Sequence, residues 1–138
     1  MENVGMLKIG REKDPENILR EEMLKERAEV LGRAGEKLAA AIDKTRIIEQ
    51  GIDERLKHFH FIMEKYEERG SHNKIASLKQ EMMGEINREI AKFNRAREHA
   101  KLRYYYLIVT REAMGMRRHH WVDEWYSIPP RKPPFRGI

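Results

Sequence analysis

Residues 59–82, FHFIMEKYEERGSHNKIASLKQEM, decide the fold. On the left of this stretch Phe59, Met63 and Tyr66 follow one another at steps of four and three. On the right Ile75, Leu78 and Met82 do the same. Both halves therefore carry the apolar stripe of a helix. Between them stands Arg69-Gly70-Ser71. Gly70 can adopt the left-handed conformation that ends a helix, and Ser71 can cap the next one. Two helices joined by so short a turn must lie side by side, pointing in opposite directions.

Working outward, the left stripe extends back through Leu56, Ile52, Ile48, Thr45, Ile42, Leu38, Gly35, Leu31 and Ala28 to Leu24. The right stripe extends forward through Ile86, Ile90, Phe93, Ala96, Ala100, Tyr104 and Leu107 to Met114. The spacing is close to a heptad seam. No proline interrupts residues 16–128, which favours long helices. Asp14-Pro15-Glu16 opens the first helix with a cap, a proline suited to the first turn and an acid at the positive end of the dipole. Gly115 ends the second. The chain is thus expected to be all-α: a long antiparallel two-helix hairpin, coiled-coil-like, with a short third helix and an extended Pro-rich C-terminal tail. The boundaries read as a loose arm over 1–13, a helix over 14–69, a turn at 70–71, a helix over 72–115, a short helix over 118–126 and a tail over 127–138. At about 1.5 Å per residue the second helix extends about 66 Å. Gly32, Gly35, Gly51 and Gly84 are weak points, and a kink or break near Gly51 is expected to be tolerable.

Centring the turn near residue 71 pairs Met63 with Leu78, Leu56 with Ile86 and Ile52 with Ile90. It also sets Tyr104–Val109 opposite the small residues of Gly32–Leu38. That run, Tyr-Tyr-Tyr-Leu-Ile-Val, is apolar all round the helix, whereas a hairpin helix buries only one stripe. Something further should cover it. One candidate is the segment holding Trp121, Val122, Trp125 and Tyr126, folded back as a third helix. The other is a second copy of the chain, and the reading combines both. The tail, PPRKPPFRGI over 129–138, offers little to bury and reads as disordered. Its Pro130-Arg131-Lys132-Pro133 fits a proline-recognition pattern only weakly.

Charged residues make up 37% of the 138 and aromatics 8%, which suits narrow apolar stripes with wide solvated faces. With no cysteine there is no disulfide, thiolate metal site or cysteine nucleophile. No leader-like or membrane-spanning apolar run occurs, so a cytoplasmic protein is expected. The net charge of +5 is uneven: residues 1–70 hold 14 Lys and Arg against 16 Asp and Glu, and residues 71–138 hold 14 against 7. A basic second half fits an acidic partner or simply a solvated face.

Chemistry finds little to stand on. The pairs Glu54/His58, His60/Glu64, His119/Asp123 and His120/Glu124 share helix faces, but a metal needs three or four converging ligands. Ser71, Ser77 and Ser127 sit in no glycine-flanked elbow, and no phosphate-binding loop is present. The expectation is no enzyme, no cofactor and no metal. The leading reading is a non-enzymatic interaction, scaffold or adaptor protein. It uses its aromatic, basic end, residues 104–136, to bind an unknown protein partner or to form a homodimer. Tyr105, Arg111, Arg117, Arg118, Trp121, Trp125 and Tyr126 are the candidate contacts. The alternative is nucleic-acid binding through Arg88, Lys92, Arg95 and Lys101 on the second helix. The plainer account of those cations is pairing with the first helix, Arg88 beside Glu54 and Arg95 near Glu49 or Lys44.

Overall fold

A computed structural model describes residues 14–70 and 72–137. Helix α1 runs over Pro15–Arg69, α2 over His72–Ala113 and α3 over His120–Trp125. There is no strand among the described residues. The arm expected over 1–13 and the Ser71 cap lie outside them.

The ends of α1 follow from its sequence. The Asp14 carboxylate accepts a hydrogen bond from the Asn17 amide at 2.8 Å, and Pro15 occupies the first turn, where no amide partner is needed. Gly70 closes the helix with φ 69°, and its amide donates to the Glu67 carbonyl. Only glycine enters this left-handed region without strain. At the far end of α2 the Met116 amide reaches the Arg111 carbonyl and the Gly115 amide reaches that of Glu112, with Gly115 at φ 85°. This paired closure stops α2 at Ala113, two residues before the expected boundary. The weak point at Gly51 does not interrupt the helix: α1 is continuous through all three of its glycines, as a single helix over 14–69 requires.

The two long helices pack as a hairpin around two apolar clusters. Nearer the turn, Ile48, Ile52 and Phe59 of α1 meet Ile86, Ile90 and Phe93 of α2. Further from it, Leu38, Ala41 and Ile42 meet Ala100 and Leu107. Thr45 is fully buried between the clusters, and its hydroxyl donates to the Ala41 carbonyl at 2.9 Å, so the buried polar group has a partner. The stripe does not bury to its start. Leu24 and Ala28 are exposed, because α1 has 55 residues and α2 only 42. Every residue from Asp14 to Val30 is exposed, and α1 has 13 more residues than α2, about 20 Å of helix.

The segment after α2 corrects the sequence reading most. Val122 of α3 is completely buried in the cluster of Leu38 and Leu107, with Tyr126 and Ile128 packed beside it. Beyond Tyr126 the chain has no helix or strand among the described residues, yet it is tied to α2 at three points. Arg97 Nε donates to the Pro129 carbonyl at 2.9 Å. The Asn94 side chain bonds both the amide and the carbonyl of Lys132, at 3.0 and 2.9 Å. Asn87 does the same for Phe135, at 2.7 and 3.1 Å. Three residues of the segment thus advance as far as seven of helix, about 10 Å at 1.5 Å per helical residue. The segment was expected to be disordered with little to bury. Instead Phe135 meets Phe59 edge to face at 5.0 Å, and Lys132 reaches Glu49 at 2.9 Å. Prolines lack amide donors, so satisfying the backbone needs only the few partners α2 supplies.

Candidate functional site

The end of the hairpin away from the turn is where the apolar surface gathers. Among the described residues, every large exposed hydrophobic side chain except Ile47 and Phe61 lies in that half. Ile18, Leu19, Met23, Leu24 and Val30 line the overhang of α1. Leu102, Tyr105, Tyr106 and Val109 project from α2, and Met116, Trp121 and Trp125 follow it. Helical geometry explains the α2 group. At 100° per residue these four positions fall on the side opposite Phe93, Ala100 and Leu107, which face α1.

Helix α3 does not cover them, contrary to expectation. It seats through Val122, on the core side, while Trp125 remains 77% exposed and Trp121 41% exposed. Three contacts fix it there. The Tyr104 hydroxyl donates to the Asp123 carboxylate. That bond, with burial and the nearby negative charge, pushes the Tyr104 pKa up to about 12. The Tyr126 hydroxyl lies against Gly35, where an added Cβ would sit 3.0 Å away. Thus the small residue of α1 receives Tyr126 rather than the Tyr104–Val109 run. Third, Arg111 anchors the connection. Its guanidinium donates to His119 Nδ1 at 3.2 Å and to the Arg118 carbonyl at 2.8 Å, and lies 4.7 Å from the Trp121 ring.

The candidate contact residues therefore divide. Tyr105, Arg117, Arg118, Trp121 and Trp125 reach solvent. Arg111, 8% exposed, and the half-buried Tyr126 are engaged within the chain. Residues 127–136, counted with the partner-binding end, are committed to α2 as well. Sequence reasoning missed the α1 overhang, although its stripe and the lengths of the two helices held the signal.

The basic candidates divide too. Arg88, Lys92 and Arg95 are exposed, and none forms an ion pair among the described residues. The expected pairing of Arg88 with Glu54 and of Arg95 with Glu49 is not found. The ion pairs across the hairpin run from Arg55 to Glu85 and Glu89, each at 3.8 Å, and Glu49 takes Lys132. Lys101 lies away from the other three, lining a cleft with Tyr104, Asp123 and Tyr126. No three His, Asp or Glu side chains gather as a metal would need, among the described residues. His60 instead edges the Phe135 ring. No described helix is long and apolar enough to cross a membrane.

Comparison of the chain with protein-family models, curated proteins and solved structures finds no match.

Proposed function

We propose that this chain is a non-enzymatic helical interaction protein that binds another protein, a second copy of itself included, through its open end. One observation carries the reading: the exposed apolar and aromatic side chains collect at the end away from the turn. Soluble surfaces scatter such residues singly, and a contiguous group of them marks a contact surface. Trp, Tyr and Arg, the residue types that dominate binding hot spots, are present together in Tyr105, Arg117, Arg118, Trp121 and Trp125. An antiparallel, coiled-coil-like hairpin with its extended Pro-rich segment laid along it is a stiff mount for such an end. The surface comprises residues 18–30 and 102–125; the C-terminal segment serves the mount.

The overhang of α1 makes a decisive variant available. Met23→Glu with Leu24→Glu changes exposed positions outside both clusters, so the hairpin should keep its helicity. Light scattering should give a multiple of the 16.5 kDa chain for the wild type and the single-chain mass for this variant. Trp121→Ala with Trp125→Ala should act in the same direction. The reading fails if the wild type stays monomeric at high concentration and the proteins co-purifying with it also co-purify with both variants.

A further inference from the structure

The C-terminal segment fills only one of the two grooves that a helical hairpin presents. The other groove stays open, and near the end of α2 it widens into a cleft of about 280 Å³. Arg33 and Lys37 of α1, and Arg103, Tyr106 and Thr110 of α2, line it. No carboxylate does. The interhelical cations elsewhere are paired: Arg55 with two glutamates, Lys132 with Glu49. Arg33, Lys37 and Arg103 have no ion pair among the described residues. The Thr110 hydroxyl is already spent on the Tyr106 carbonyl at 2.7 Å, so the donors left in the cleft are the three cations and the Tyr106 hydroxyl. Like charges drawn together without counter-ions cost stability, and an anionic ligand removes that cost.

A row on α2 leads into the same cleft. Arg88, Lys92, Arg95, His99, Leu102 and Tyr106 succeed one another at steps of four, three, four, three and four, and all are exposed. Such steps keep them on one side of the helix over about 27 Å. The row begins with three cations and ends on an aromatic ring, half of whose surface is free, with the Arg103 guanidinium 5.8 Å from its centre.

We infer that this row and the cleft form a binding site for single-stranded nucleic acid. Phosphates lie along Arg88, Lys92 and Arg95 and end on Arg33, Lys37 and Arg103, and a base stacks on Tyr106. A spaced line of cations beside an exposed ring is what an unpaired strand requires. A duplex keeps its bases stacked on one another and has no use for the ring. The site shares Leu102, Arg103 and Tyr106 with the surface proposed above for self-association, but five of its six cations, Arg33, Lys37, Arg88, Lys92 and Arg95, lie outside that surface.

Fluorescence anisotropy with a labelled 15-nucleotide oligouridine tests it. Six phosphate contacts predict that raising salt fourfold weakens binding about three-hundredfold. In Arg33→Gln/Lys37→Gln/Arg103→Gln the slope of log K against log salt should shrink by about 2, because each lost contact removes about 0.7. Glutamine is a good helix former, so circular dichroism should be unchanged in this variant. Tyr106→Leu should weaken binding about tenfold and leave the slope alone. No binding at low salt overturns the inference. So does unaltered affinity in the triple variant, or equal affinity for a duplex of the same length. Equal affinity for polyglutamate, lost in the same triple variant, would instead assign the cleft to an acidic protein.

Discussion

Asn94 and Arg95 are neighbours on one helix, and they lead different lives. Asn94 faces the C-terminal segment and satisfies both backbone groups of Lys132. Arg95, one residue on, borders the cleft between α2 and the segment but is exposed, bonds nothing in the segment and has no ion pair among the described residues. Asn87 and Arg88 repeat the contrast one heptad earlier. All four are polar residues off the seam of an amphipathic helix. What separates them is about 100° of rotation, which sets two against the rest of the chain and two against solvent. The side with Asn87 and Asn94 is structural, and the side with Arg88 and Arg95 is available. Polar character alone does not distinguish a fold-holding residue from a free one. The deciding quantity is whether its hydrogen-bonding groups meet backbone that would otherwise lack a partner.

If that division is correct, the largest loss of stability should come from the segment's anchor. Phe135→Ala should cost about 2–3 kcal/mol, below the full cost of a buried Phe because the ring is only partly covered. Denaturant unfolding measures it, and a loss below about 0.5 kcal/mol would show the segment to be an ornament. Next comes the neighbouring pair itself. Asn94→Ala should cost about 1–2 kcal/mol, whereas Arg95→Ala should stay within about 0.5. Equal effects at the two positions would erase the contrast. Gly35→Ala is finely balanced. The helix gains about 1 kcal/mol in propensity, while the new Cβ crowds the Tyr126 hydroxyl. The single substitution should therefore be near neutral or mildly destabilising. Adding Tyr126→Phe, which removes the hydroxyl, should recover the gain.

The smallest effect is read by pH. The raised Tyr104 pKa means the folded state prefers the protonated phenol. The stability it contributes is complete below pH 10 and lost as pH climbs from 10 through about 12. Tyrosinate absorbance should show one late-titrating group, and Asp123→Asn should return it toward 10. An unmoved titration would detach Asp123 from the tyrosine.

The helical seam was legible in the sequence because it repeats. Leu38, Ile42, Ile48, Ile52 and Phe59, with Ile86, Ile90, Phe93, Ala100 and Leu107, are all buried. Each lies on a stripe whose period no strand could share. The docking of the C-terminal segment was not legible. Its prolines and charges read as solvated, and its hold on α2 depends on Arg97 and on two asparagines seven apart in a helix crowded with polar residues. The lone Phe135, stranded among prolines and basic residues, was the one hint that something there is buried. For the candidate surface, Trp125 and Tyr105 could be named from their side chains. The exchange of roles between Val122 and the tryptophans could not, since α3 has six residues and too little periodicity to fix which face turns inward.

A two-rung ladder also has a consequence for alignment. Heptad seams tolerate slippage, because a shift of seven residues matches apolar with apolar again. The C-terminal segment cannot slip so freely along α2. Moved one rung, Phe135 would meet Asn94, and Lys132 would meet Lys101, a side chain that can donate but never accept. One rung would be left half unmade, and the Phe135 ring would lose its seat on Phe59. The segment touches α1 at Glu49 and Phe59 while gripping α2 at two set points. It therefore works as a vernier: a slip in either direction forfeits the Phe59 and Glu49 contacts, so the segment favours one alignment of two helices whose own seam would accept several.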